Sequence, residues 1–138
     1  GEGGEKSKLE TIIRENNASS YIHLMGQHDL SEVYQNYEAY IAGSTSEGFG
    51  LTLMEAVGGG LPIIGFDVRY GNPTFIRDGE NGYLIDLPEE DKDKIEALRK
   101  GIVDLFKQNL EKCHSVSYLV AKDFLTSNVQ EKWREAVC

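Results

Sequence analysis

At 138 residues the chain is long enough for one globular domain with a single sizeable core, and its 40% hydrophobic and 27% charged residues are typical of such a domain. The formal net charge of −9 excludes a general binder of nucleic acid or of anionic membranes, because those proteins present a positive surface. The sequence has no apolar run of the roughly 20 residues that a membrane span requires and no basic-then-apolar signal segment, so we expect a cytoplasmic protein without a transmembrane segment.

Helix and strand patterns alternate along the first half of the chain. Leu9, Ile12 and Ile13 have the apolar spacing of an amphipathic helix. Asp29 or Ser31 is the expected N-cap of a later short helix. The predicted elements, in chain order, are a helix that fades at residues 16–17, a strand at 21–25, a short helix at about 30–37, a strand at 39–43 and a helix at about 51–58.

The alternation continues into the second half, where a longer helical pattern follows. A stripe of five apolar residues predicts a helix packed on the core: Ile95, Leu98, Ile102, Leu105 and Phe106. The remaining predicted elements are a strand at 62–66, a helical turn at 74–77, a strand at 83–85 and a last helix from about residue 116. This order predicts an α/β fold with a parallel sheet. Cys113 and Cys138 lack metal-ligand spacing and are expected to be free thiols.

Two carboxylates, Glu47 and Glu55, flank a glycine-rich turn that leads from a predicted strand into a predicted helix. The backbone N–H groups and the positive end of the helix dipole make this turn a place where a phosphate could bind. Ligands in doubly wound sheets bind at such loops, beyond the carboxyl ends of the strands. On spacing alone, a pair of site residues is no better supported than the alternative in which Glu47 is an exposed loop acid and Glu55 a solvated helix residue.

The segment 44–56, with Gly60 and Pro62 after it, resembles the donor-site signature of the GT-B retaining glycosyltransferases of the family 4 type. The segment 81–85 resembles the strand that follows this signature in the family. Gly26 lies where that family turns toward the nucleotide base. The resemblance covers most of residues 1–90 in order and spacing, and it implies a Rossmann-like parallel sheet with flanking helices.

The run 65–73 is similar to the Gram-positive cell-envelope members of that family. These are the poly(glycerol-phosphate) α-glucosyltransferases and the accessory-secretion enzymes that glycosylate serine-rich adhesins. The resemblance thus implies a bacterial transferase that moves a hexose or an N-acetylhexosamine from a UDP-sugar to a glycan, teichoic or protein Ser/Thr acceptor. Two alternatives stay open: a nucleotide-sugar epimerase of GT-B architecture, and a non-catalytic partner subunit of a glycosyltransferase pair.

The resemblance also implies a role for each residue of the turn. Glu47 would hold and orient the donor sugar as the catalytic residue, and Glu55 would accept hydrogen bonds from the ribose hydroxyls. Gln27 and His28 would contact uracil through main-chain atoms. The expected cradle for the sugar and diphosphate is formed by Gly48, Phe49, Gly50, Leu51 and Thr52. The chemistry of this family usually needs no divalent metal, and the resemblance therefore implies that this chain uses neither a metal nor another cofactor.

The same resemblance implies that residues 1–138 are a partial C-terminal nucleotide-sugar-binding domain. It sets Gly1–Gly3 in the loop after the second strand of that domain, so the first two strands, a basic pair for the diphosphate and the N-terminal acceptor domain would lie outside the chain. Unpaired strand edges are costly and invite pairing with another chain. We therefore expect this chain by itself to be inactive and to form a strand-exchanged dimer or another homo-oligomer.

Overall fold

The computed structural model describes residues 3–30 and 32–137, with side chains through Ala136. The chain divides into two compact units, Gly1–Leu30 and Ser31–Cys138. The predicted N-cap Ser31 and the predicted free thiol of Cys138 lie outside the described residues, whereas Cys113 is a free, buried cysteine.

The first unit contains one described helix, α1, at Lys6–Glu15, which confirms the helix predicted from the apolar spacing. Its C-terminal end is closed by the Asn16 backbone N–H, which donates to the Ile12 carbonyl, and by the Asn16 side chain, which donates to the same carbonyl at 2.9 Å. Asparagine is well suited to this position because its side chain competes with the helix for backbone partners.

The prediction of a strand at residues 21–25 is wrong. Tyr21 lies in a turn, its N–H donating to the Ala18 carbonyl, and residues 22–25 belong to no β-ladder among the residues that the structure describes. Tyr21 is 69% and Met25 59% exposed, so the apolar side chains of this segment are not covered as those of a sheet strand would be. An apolar run forms a strand only when a neighbouring strand satisfies its backbone groups.

The second unit holds a parallel sheet with helices between and after its strands. Its described elements, in chain order, are a 3₁₀ turn at Tyr34–Asn36, β1 at Tyr40–Ala42, α2 at Leu51–Gly58, β2 at Ile63–Phe66, α3 at Gly71–Phe75, β3 at Gly82–Ile85, α4 at Asp91–Leu105, α5 at Leu110–Lys122 and α6 at Thr126–Val137.

The described strands form one three-stranded sheet in the order β1-β2-β3, with both pairs parallel. Ile64 lies at its centre, opposite Ile41 on one side and Tyr83 on the other. Every residue of β2 is buried, which explains its uninterrupted apolar sequence. The sheet and its flanking helices confirm the predicted Rossmann-like α/β fold.

The other helix predictions are only partly confirmed. The helix expected at about residues 30–37 is reduced to the 3₁₀ turn, and the expected turn at 74–77 is replaced by α3, which begins earlier. The single helix expected from about residue 116 is in fact α5 and α6, separated at residues 123–125. In the predicted stripe, Leu105 at the end of α4 is fully buried, but Ile95 is 70% exposed and Phe106, just past the helix, is 52% exposed, so the stripe is core only in part.

A buried polar network fixes the entry to β3. The Asn81 Nδ2 donates to the Phe75 carbonyl at 3.1 Å and to Ser117 Oγ at 3.2 Å, and its Oδ1 accepts from the Arg77 N–H at 2.7 Å. Ser117 Oγ in turn donates to the Leu61 carbonyl at 2.8 Å. Both polar side chains are fully buried, and their hydrogen bonds offset the loss of water. The network therefore ties α3 and α5 to the segments that lead into β2 and β3.

Among the helices of the described residues, none combines the length and the apolar character needed to cross a bilayer.

Candidate functional site

The loops that follow β1 and β2 meet beyond the carboxyl ends of these strands. Glu47, in the first loop, and Tyr70, in the second, pair as an isolated parallel bridge. Such an edge is where doubly wound sheets place their ligands. The half-buried Glu47 thus lies in the loop that the sequence predicted, held through its backbone against the second loop.

Two glycines allow the backbone to approach Glu47 closely. A Cβ on Gly71 would overlap Glu47 Cγ and lie 3.0 Å from its Cβ and 3.2 Å from the Phe49 carbonyl oxygen. Gly50 has a φ of +86°, and a Cβ there would lie 2.5 Å from Leu53 Cδ1 and 3.4 Å from Glu47 Cγ. The side chain of Glu47 therefore packs onto bare backbone, which restricts where its carboxylate can go.

An aromatic cluster anchors the same loop from its other side. Phe49 packs edge-to-face on Phe75 at 5.4 Å and on Phe124 at 6.2 Å between ring centroids, and Phe75 and Phe124 lie 4.8 Å apart. Aromatic pairs of this kind contribute more stability than the area they bury accounts for, so they favour one geometry of the loop. The Phe49 side chain thus positions the loop, while its backbone N–H is the group predicted to face the donor.

The N-terminal end of α2 has no side-chain cap among the described residues. Its N-cap, Gly50, is left-handed, and the first hydrogen bond of the helix runs from the Met54 N–H to the Gly50 carbonyl at 3.0 Å. The N–H groups of Leu51, Thr52 and Leu53 come before this first bond, so they have no partner within the helix, as in the first turn of any helix. With the helix dipole, these groups form a surface suited to an anion.

Glu55 is exposed on α2, one turn beyond Leu51 and therefore on the same helix face. Tyr34 Oη donates to Glu55 Oε2 at 3.2 Å and lies 3.5 Å from the Thr52 carbonyl oxygen. Burial raises the pKa of the Tyr34 hydroxyl far above its usual range, and the hydrogen bond and negative charge of Glu55 raise it further. The hydroxyl is therefore a neutral donor at physiological pH.

The remaining predicted site residues divide between the two units. Gly48, Leu51 and Thr52 are exposed around the start of α2, as a ligand cradle requires. Gln27 and His28 are exposed in the first unit, which is described by itself. In the described part of the chain, no group of three or more His, Cys, Asp or Glu side chains is arranged to hold a metal ion.

Two site residues escaped the sequence analysis. Tyr34 carries no motif, and its contact with Glu55 spans 21 positions of the sequence, so no local pattern could indicate it. Tyr70 has φ +79° and ψ −64°, a strained γ-turn conformation that L residues rarely adopt, and its side chain is 73% exposed. The signals for Tyr70 were its place before Gly71 and Asn72 in a loop between predicted elements and its place within the run 65–73 that carries the family resemblance, but neither assigned it a role at the site.

Comparison with known proteins gives the chain a family. The model of the family described as "Glycosyl transferases group 1" matches residues 1–121. The UDP-N-acetylglucosamine–peptide N-acetylglucosaminyltransferase GtfA subunit of Limosilactobacillus reuteri subsp. suis is 56% identical over 99% of this chain and 27% of that protein. The poly(glycerol-phosphate) alpha-glucosyltransferase of Bacillus subtilis strain 168 is 30% identical over 99% of this chain and 20% of that protein.

The fold is also similar to solved structures. The crystal structure of the pneumococcal O-GlcNAc transferase GtfA in complex with UDP and GlcNAc superposes with a TM-score of 0.90 at 49% identity, over 98% of this chain and 27% of that one. The chain therefore spans about a quarter of the length of these two GtfA relatives.

Proposed function

The chain belongs to the group 1 glycosyl transferases, and on that premise we propose that it forms the donor-binding part of a retaining, family 4 type glycosyltransferase that uses a UDP-sugar. One observation carries the proposal. The loops after β1 and β2 meet at the uncapped N-terminus of α2, with Glu47 before this helix and Glu55 one turn into it.

Each part of the site has a chemical task in this proposal. The diphosphate binds the first N–H groups of α2, where the helix dipole favours negative charge. Glu55 accepts hydrogen bonds from the vicinal hydroxyls of the ribose, and Glu47 holds hydroxyls of the donor sugar. As the bond to the leaving phosphate breaks, positive charge develops near the anomeric carbon, and the Glu47 carboxylate stabilises it. Gln27 and His28 remain proposed main-chain contacts of uracil.

For the donor and acceptor we propose UDP-N-acetylglucosamine and a Ser/Thr-containing peptide. The relative that is 56% identical is named for that donor and a peptide, and the pneumococcal structure contains UDP and GlcNAc. A second candidate is transfer of glucose to poly(glycerol phosphate), which the 30% identical relative from Bacillus subtilis favours. We further propose that residues 1–138 are a partial C-terminal domain that acts in the cytoplasm with a further acceptor domain.

The direct experiment is a donor and acceptor screen with the natural full-length protein. UDP-GlcNAc and UDP-glucose are each offered with a serine-rich peptide and with poly(glycerol phosphate), and the anomeric configuration of the product is read by NMR. We expect an α-linked GlcNAc–peptide, which retains the configuration of the donor. A β-linked product would refute the retaining mechanism, and release of an epimerised nucleotide sugar would favour the epimerase alternative.

Replacing Glu55 tests the ribose contact. Glu55→Gln should weaken UDP binding by about 10- to 100-fold, because a hydrogen bond to a charged acceptor contributes roughly 1.5–3 kcal/mol. The measurement is calorimetric titration of UDP into the full-length protein. Glu131→Gln, which changes an exposed glutamate on α6, is the matched control and should bind UDP like the wild type. An unchanged affinity in Glu55→Gln would contradict the proposed role.

Removal of divalent metal tests the proposed independence from metal ions. We assign the leaving diphosphate to backbone N–H groups and to basic residues outside this chain, and not to a metal ion. We therefore expect the initial rate of transfer in EDTA to stay within about twofold of the rate in Mg²⁺. Such a difference is well below the tenfold change in rate that about 1.4 kcal/mol in the barrier would produce. A loss of activity in EDTA that Mg²⁺ or Mn²⁺ restores would overturn this part of the proposal.

A further inference from the structure

We propose that Tyr34 is a positioning residue for the nucleotide, which acts by holding the Glu55 carboxylate in the orientation that accepts the ribose hydroxyls. The inference rests on the proposed function, in which Glu55 is the ribose-binding residue. It adds a residue that lies outside the donor-site signature and that contacts the nucleotide only through Glu55.

The hydrogen bond has the geometry that such a role requires. Tyr34 Oη lies 3.2 Å from Glu55 Oε2, whereas its other acceptor, the Thr52 carbonyl oxygen, is 3.5 Å away. A hydroxyl has one proton to donate, and the shorter contact is to the charged acceptor, which forms the stronger bond. Oε1 of Glu55 and the second lone pair of Oε2 remain available to a vicinal diol.

The Tyr34 ring is held from two sides, so its hydroxyl is a fixed point. A Cβ on Gly59 would lie 2.6 Å from Tyr34 Cβ, which shows that the end of α2 rests directly on this side chain. On another side, Tyr40 of β1 packs on the ring at 6.1 Å between centroids with an interplanar angle of 64°. Tyr34 is 6% exposed, and a buried tyrosine needs a partner for its hydroxyl.

Glu55 differs from Tyr34 in that its side chain is exposed on a helix surface. An exposed glutamate samples several rotamers, and fixing it upon ligand binding costs conformational entropy. The hydrogen bond from Tyr34 restricts those rotamers before the nucleotide arrives. Binding of the ribose then requires less ordering, so the affinity for a nucleotide with both ribose hydroxyls is higher than it would be for a free carboxylate.

The test is a thermodynamic cycle between Tyr34→Phe and the ribose hydroxyls, measured by titration of the full-length protein with UDP and with 2′,3′-dideoxy-UDP. Phenylalanine keeps the buried ring and removes only the donor. We expect Tyr34→Phe to weaken UDP binding by about tenfold, as the loss of roughly 1.4 kcal/mol would. We expect the affinity for the dideoxy nucleotide to change less than about twofold, because that ligand offers Glu55 nothing to bind.

Tyr118→Phe is the matched control. Its hydroxyl donates to the Gly59 carbonyl at 3.3 Å, so it also contacts α2, but at the end of the helix and not at Glu55. This variant should bind both nucleotides like the wild type. Equal weakening of both nucleotides in Tyr34→Phe would mean that Tyr34 only supports the fold, and unchanged binding of both would mean that it has no role; each overturns the proposal.

Failure of the underlying function gives a different result. If wild-type protein binds UDP no better than dideoxy-UDP, the ribose role of Glu55 falls, and the role of Tyr34 falls with it. If wild-type protein discriminates between the two nucleotides and Tyr34→Phe discriminates equally well, only the positioning role is refuted. Thermal unfolding of each variant verifies that the titrated protein is folded.

Discussion

Glu47→Gln is expected to lower kcat for sugar transfer by about 10²- to 10³-fold, the range measured when one preorganised group that stabilises transition-state charge is removed. Glutamine has the size of glutamate, so it fits the same space against Gly71, where the Glu47 side chain packs on bare backbone. It can still hydrogen-bond to sugar hydroxyls but lacks the negative charge that the developing cation requires. Because Glu47 is assigned to the sugar, the affinity for UDP should change less than about twofold.

Initial rates at saturating donor, together with titration of UDP, check this expectation. Glu80→Gln is the matched control, because Glu80 is an exposed glutamate in the turn before β3. Full transfer activity in Glu47→Gln would remove Glu47 from the catalytic role. A loss of UDP affinity as large as the loss in kcat would instead move Glu47 to the nucleotide-binding part of the site.

Gly82→Ala is expected to destabilise the protein by about 4 kcal/mol or more, a large part of the 5–15 kcal/mol that holds a typical domain folded. Gly82 opens β3 opposite Ile63 of β2, with a φ of +155°. A Cβ there would overlap the Ile63 carbonyl oxygen and lie 2.7 Å from its carbonyl carbon. Because both atoms belong to the backbone of a central strand, the clash is relieved only by separating β2 from β3.

Urea unfolding followed by circular dichroism measures the effect, and two other glycines separate its causes. Gly43 has open space for a Cβ and no positive φ, so Gly43→Ala should change stability by less than about 0.5 kcal/mol. Gly79 also has open space but a φ of +74°, so Gly79→Ala should cost about 1–2 kcal/mol from backbone strain alone. A Gly82→Ala cost no larger than that of Gly79→Ala would contradict the close approach to Ile63.

The helix α2 shows what local sequence can predict. Its bounds, Leu51–Gly58, agree with the prediction because glycines delimit it at both ends: Gly50 adopts the left-handed conformation before it, and Gly59 closes it. The predicted places of Glu47 in a loop and Glu55 one turn into the helix are also confirmed, since both follow from the helix start. Their roles toward a donor stay predictions.

The segment 21–25 and the helix α4 show where local sequence fails. An apolar run satisfies the pattern of a strand, but a ladder depends on a neighbour that no window of the sequence contains. A helical stripe indicates one apolar face, but the width of the contact depends on how the helix lies on the sheet. For that reason Leu105 is buried in α4 while Ile95, at the other end of the same stripe, is 70% exposed.

The sequence by itself determined the α/β class, the helix at the glycine-rich turn and the places of the two glutamates, because these depend on backbone preferences within a few residues of one another. The tertiary structure alone decided what surrounds the glutamates. Gly71 lies against Glu47, and Tyr34 donates to Glu55 across 21 positions. Such contacts form when parallel strands bring their following loops to one edge of the sheet, and that long-range arrangement leaves no periodic trace in the sequence.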